Sequence, residues 1–160
     1  MQETSERHTR RLQVVCAALL ASLAAYAGLV TAVPLAVQPT FPQGEPLLWG
    51  FAFLAAVNLV TIMPVYRAML AGPRRVYAVG QQPERLLAAH FSAHIVAFAR
   101  LEAVAILGLV LHFLTGRQDW FWIFTGVAAF GMVLLWPKRG KVEALLALPG
   151  QSGLQVPSPQ

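Results

Sequence analysis

Apolar residues in this chain do not alternate with polar ones and do not keep to one helical face. They come in long blocks divided by short polar segments. Four blocks stand out, at residues 12–37, 47–70, 87–114 and 119–136. Crossing the roughly 30 Å hydrocarbon core of a bilayer takes about 20 apolar helical residues, and all four blocks meet that length. The pattern predicts an all-α, polytopic membrane protein with four transmembrane helices arranged as two hairpins. Residues 1–11 then form a cytoplasmic N-terminal segment, 12–136 the four-helix domain, and 137–160 a cytoplasmic tail with a disordered end.

The first block follows "RHTRR", which has the look of a signal-peptide leader. Signal cores run about 7–15 residues, and this block is longer, so a retained helix is expected. "QPTFPQGEP" (38–46) ends the first hairpin and "AGPRRVYAVGQQPER" (71–85) joins the two hairpins. Pro83 falls near the start of helix three, where proline is tolerated. "TGRQD" (115–119) reads as a tight turn, and "KVEALLAL" as a short interfacial helix. Pro34 and Pro64 are candidate kinks at helix ends.

Composition agrees with this class. Of 160 residues, 57% are hydrophobic and 12% charged, against about 25% charged in a soluble domain. Mean hydropathy is +0.58. The net charge of +5 would raise nucleic acid as a partner in a soluble chain. Here no basic stripe with interleaved aromatics exists, and the basic residues flank the apolar blocks. Arg7, Arg10 and Arg11 precede helix one; Arg67, Arg74, Arg75 and Arg85 lie between helices two and three; Lys138, Arg139 and Lys141 follow helix four. The remaining loops hold only Arg117. By the positive-inside rule both termini are cytoplasmic, as an even number of spans also requires. Trp49, Trp120, Trp122 and Trp136 fall near block ends and read as interfacial anchors. The single cysteine, Cys16, makes no intrachain disulfide and no multi-cysteine metal site.

Helices in lipid associate through close backbone contact and polar pairs. Helix one carries Ala17, Ala21, Ala25 and Gly28 as a small-residue stripe, and helix four carries Gly126 and Ala129, with Gly131 nearby. These are candidate packing faces, within the chain or between copies. Tyr26, Asn58, Thr61, Arg100 and Glu102 are the polar groups inside the blocks. Asn58 and Thr61 share a face, and asparagine in a span reads as interhelical glue.

The chemistry concentrates in helix three. Arg100 and Glu102 are two residues apart, so on a helix they point about 160° away from each other and cannot form the pair that i, i+4 spacing favours. Arg100 has a stem long enough to snorkel toward headgroups; otherwise it caps carbonyls or meets a carboxylate of another copy. Glu102 sits near mid-depth with a short stem. An ionised group there costs on the order of 2.5–3.5 kcal/mol, so it is expected to be neutral or matched, with Asn58, Thr61, Tyr26 or Arg100 of another copy as partners. Three roles remain open: an acid holding helices together, a carboxyl that exchanges protons with water, or a contact for a lipid or quinone headgroup. His90 and His94, at i, i+4, form a candidate metal face without an evident third ligand. The plainer reading is interfacial histidines satisfied by headgroups or water. No nucleophile elbow, phosphate loop or Cys–His arrangement is present, so no catalytic residue and no cofactor is assigned.

Around Glu102, "LEAVAILGLVLHFL" resembles the carboxylate-bearing helix of rotary-ATPase proteolipid (c) subunits. That resemblance implies an ion-binding carboxylate at Glu102 and a packing position at Gly108. The stretch 95–142, with "ARLEA", the "TG" turn, an aromatic-rich last span and "WPKRGKV", resembles small bacterial membrane proteins of unknown role. This second resemblance covers more of the chain and implies a bacterial plasma (inner) membrane. The expectation is a non-enzymatic accessory or oligomeric subunit, partnered by the bilayer and by itself or a larger membrane complex. The alternative is proteolipid-like proton or cation handling.

Overall fold

The computed structural model describes residues 2–32, 45–80 and 83–146. Among them the chain is helical apart from two short connections, with no strand: α1 (Gln2–Ala32), α2 (Glu45–Gly80), α3 (Pro83–Thr115), α4 (Gln118–Leu134) and α5 (Arg139–Leu146). Three of these are long and apolar enough to cross a membrane, over Glu6–Ala32, Glu45–Tyr77 and Pro83–Thr115. The fourth expected span is the 17-residue α4, about 25 Å long at 1.5 Å per residue and shorter than the other three.

Two boundaries differ from the sequence reading. The basic start of the chain is part of α1 from Gln2 onward rather than a separate segment. Most of 71–85, read above as a connection, belongs to α2, which runs through both Pro64 and Pro73. Proline is tolerated in apolar helices because nearby groups re-satisfy the freed carbonyls. Pro83 does open α3, and α5 covers most of the short helix expected after Trp136. Pro34, the 38–46 connection apart from its last two residues, and the final ten residues lie outside the described residues.

The α3–α4 turn is set by Gly116. Its φ of 72° lies in the left-handed region that glycine enters without steric cost. Its N–H donates to the His112 carbonyl at 2.8 Å, closing α3 in the manner of a left-handed C-cap. An exposed Arg117–Asp119 ion pair at 2.6 Å follows directly.

Helix α3 packs against α1, α2 and α4, and its buried residues recur at steps of three and four along one broad face, the pattern of an amphipathic stripe turned to the core. Phe98, Leu101, Val104 and Leu111 form the core with Leu12, Cys16 and Leu23 of α1, Ile62 of α2, and Phe124, Ala128 and Met132 of α4. Gly108 lies against Phe124, and Leu101, one heptad earlier, lies against Gly131. Matched steps in opposite directions make α3 and α4 antiparallel. At the far end from Gly116, Gln13 donates to the Pro137 carbonyl at 3.2 Å. Tyr77 donates to the Leu146 carbonyl at 3.0 Å. The N-terminal part of α1, the end of α2 and α5 are thereby tied together at one end of the bundle.

The small-residue stripe is not a packing face within the chain. Ala17, Ala21, Ala25 and Gly28 are all exposed, and a Cβ on Gly28 or Gly126 would meet nothing within 4 Å. The glycines that bring helices close are Gly108 and Gly131. Large apolar side chains such as Trp49, Phe53, Val60 and Phe130 also face outward, the surface expected of helices solvated by lipid.

Candidate functional site

The polar side chains of the bundle form two clusters, both built on α3. The first is at mid-helix. Ser22 and Tyr26 stand at i, i+4 on one face of α1, and both hydroxyls bond Glu102 Oε1, at 2.6 Å and 2.9 Å. Ser22 Oγ also lies 2.7 Å from its own-helix carbonyl at Leu19. On the opposite side of α3, the Arg100 guanidinium donates to Thr61 Oγ1 of α2. The divergence expected from helix geometry is therefore realised. Glu102 faces α1 and Arg100 faces α2, so neither meets the other and each is matched separately.

Some expected partners are redistributed. Tyr26 does serve Glu102. Thr61 serves Arg100 instead, and also bonds the Val57 and Asn58 carbonyls of its own helix. Asn58 is not interhelical glue here: its amide donates to the Leu54 carbonyl one turn back, a bond any helix offers a short polar side chain. Ser22 was missed in the sequence reading. Its only signal was its i, i+4 relation to Tyr26, masked by the ease with which serine satisfies itself on its own backbone.

The second cluster lies nearer the end of the bundle where α5 sits. His90 and His94 share a face as their spacing requires, with ring centroids 4.4 Å apart. Both are buried in the bundle, at 4% and 5% exposure, rather than open to headgroups or water. Tyr66 of α2 packs edge-on to His94 at 5.1 Å, and its hydroxyl is 3.2 Å from His94 Nδ1. That nitrogen is also 3.2 Å from the His90 carbonyl. His8 of α1 stacks at a tilt on His90, 5.8 Å between centroids. His90 Nδ1 and His8 Nε2 are buried without a hydrogen-bond partner. Tyr66 and His8 went unrecognised in the sequence, because nothing along the chain shows which residues of α1 and α2 meet α3.

Next to these rings is a cavity of about 360 Å³ bounded by Tyr66, Arg74, His90 and His94 on its polar side. Ile62, Met63, Ala97, Leu135 and Leu145 line it on the apolar side. The size is at the lower end for a small-molecule site, and the lining suits an amphipathic molecule with a hydrogen-bonding or anionic head. The donor set does not suit a metal: among the described residues no group of three or more His, Cys, Asp or Glu side chains converges.

No carboxylate pair accompanies either cluster among the described residues. His112, at the turn end of α3, is buried with neither ring nitrogen paired, packed between Phe113 and Phe121. The chain matches no family model, no curated protein and no solved structure, so neither resemblance drawn from its motifs gains a counterpart.

Proposed function

We propose that this chain is a non-enzymatic, multi-pass subunit of a bacterial plasma membrane, an accessory or oligomeric structural element whose ionisable mid-membrane groups serve to hold its helices together. One observation carries the reading: the single carboxyl in the middle of α3 is occupied by two hydroxyls of α1. In hydrocarbon an unmatched acid is costly, and a matched one fixes which helix faces which. Arg100 does the same toward α2. In this reading α4 is the fourth span. The support is its antiparallel course along α3 and the Gln13–Pro137 bond, which returns the chain to the end where α1 begins. The basic residues cluster at that same end, which supports cytoplasmic termini. The open face of Ala17, Ala21, Ala25 and Gly28 is then available to lipid or to another helix.

Hydrogen-bond bookkeeping sharpens the clamp. Ser22 has one hydroxyl proton but contacts both the Leu19 carbonyl, which can only accept, and Glu102. That proton is shared between the two acceptors as a three-centre bond, with Glu102 Oε1 at 2.6 Å and the Leu19 carbonyl at 2.7 Å. Tyr26 and Ser22 thus converge as two donors on one oxygen of the Glu102 carboxyl.

Two measurements test this reading against proton or cation handling. Glu102→Gln keeps a side-chain carbonyl that accepts from both hydroxyls, so it should retain near-native thermal stability in detergent, whereas Glu102→Ala should lose it. Carbodiimide labelling at graded pH gives the second. A clamped acid stays unreactive until the fold is loosened. A carrier carboxyl reacts in the native protein and is protected by its ion, and that result would replace the structural reading.

A further inference from the structure

Between α1 and α3 lie two adjoining clefts that share Arg7, Arg11 and Phe91. The larger, about 710 Å³, also has Glu84 in its lining. The smaller, about 520 Å³, is lined by Arg7, Arg10, Arg11, Val14, Val15 and Phe91 alone. Half of that lining is guanidinium and half is apolar, and no carboxylate belongs to it. Arg10 and Arg11 are exposed, and among the described residues neither is in an ion pair. Val14 is 64% exposed.

The order along the helix matters. Arg10 stands one turn before Val14, and Arg11 one turn before Val15, so the Cα of each arginine lies about 6 Å along the axis from that of an apolar residue on the same face. The arginines are toward the helix start and the valines toward the apolar block that crosses the membrane. Phe91, from α3, closes the far wall and touches His8 edge-on at 5.9 Å. A soluble anion would use the arginines and leave Val14, Val15 and Phe91 idle. An acidic peptide would have to enter the hydrocarbon to reach them. A phospholipid joins a phosphate to acyl carbons over just such a distance.

We infer that this cleft seats an anionic phospholipid of the adjacent leaflet, its phosphate over Arg10 and Arg11 and the start of an acyl chain along Val14, Val15 and Phe91. The binding follows from charge complementarity at a membrane surface joined to burial of exposed apolar area. It depends on the membrane placement of α1 and not on what Glu102 does.

Native mass spectrometry of the full chain from a neutral detergent tests it, with phosphatidylglycerol and phosphatidylcholine of identical acyl chains offered in equal amounts. The wild type should retain phosphatidylglycerol preferentially. Arg10→Gln with Arg11→Gln should weaken that retention on the order of tenfold, while Arg67→Gln with Arg75→Gln, the same charge change at other exposed arginines, should not. Val14→Asn keeps every arginine and should also weaken it, which holds if the arginine pair proves necessary for folding. Glycerol phosphate in millimolar excess should not compete. Absence of headgroup preference, equal loss in the control pair, an unchanged Val14→Asn, or displacement by glycerol phosphate would each overturn the lipid assignment.

Discussion

Two faces of this bundle are built from the same kind of residue and behave oppositely. Along the α3–α4 seam, Gly108 is pressed so close to its neighbour that an added Cβ would lie 2.6 Å from Phe124 Cβ. Along α1, Ala17, Ala21, Ala25 and Gly28 form the more regular stripe, yet they face outward and Gly28 has nothing near it. Regular spacing of small residues therefore shows that helices can approach there, not that they do. The turn of α1 about its axis makes the difference: Leu12, Cys16 and Leu23 enter the core and Ser22 and Tyr26 reach Glu102, which leaves the stripe on the outside.

The contrast can be broken most forcefully at Gly108. Gly108→Ala puts a methyl against the root of Phe124, with no flexible side-chain end to yield. Overpacking of this kind costs about 1–3 kcal/mol and should appear as a clear fall in the detergent melting temperature. Gly126→Ala, on the same seam helix but open, should be neutral or slightly stabilising. If both behave alike, the seam is not where the contrast places it.

Glu102→Ala comes next. It leaves the Tyr26 hydroxyl and the outer contact of Ser22 without their partner, for a loss of about 1–3 kcal/mol, read from the same melts. Glu102→Gln should recover most of that loss. A smaller effect is expected at Gly131, where the crowding atom is Leu101 Cδ2 at 2.6 Å, the free end of a side chain that can rotate. Gly131→Ala should cost under about 1 kcal/mol, less than Gly108→Ala. Smallest of all for the isolated bundle is Gly28→Leu, which should leave the melting temperature unchanged. If copies associate through the α1 stripe, Gly28→Leu should abolish cross-linking between them, and persistence of the cross-link would remove that face from consideration.

The sequence carried the class of the fold and the position of its helices to within a turn in most places, because long apolar blocks have one stable arrangement in lipid. It stopped short at the start of α1, read from residue 12 but helical from Gln2, and at the end of α2, where prolines and a run of arginines suggested a connection but helix continues to Gly80. It also anticipated that Arg100 and Glu102 diverge, since that follows from helical pitch alone. Partner identity was less legible. Tyr26 was foreseen for Glu102 and Ser22 was not, and Asn58 proved to bond its own backbone. Those outcomes depend on the rotation of α1 and α2 about their own axes, which no pattern along one helix contains. The histidine cluster shows the same limit: His90 and His94 were placed on one face by their spacing, but Tyr66 and His8 reach them only through packing.

The clamp between α1 and α3 is the claim on which the rest turns, and a double-mutant cycle measures it directly. Glu102→Ala, Tyr26→Phe and the pair are compared by thermal or steric-trap unfolding in one detergent. The losses should be non-additive, with a coupling of about 0.6–1.7 kcal/mol, as found for polar pairs between membrane helices. Additivity to within about 0.3 kcal/mol would mean that the two side chains do not sense each other, and the account of how this bundle is held together would be contradicted.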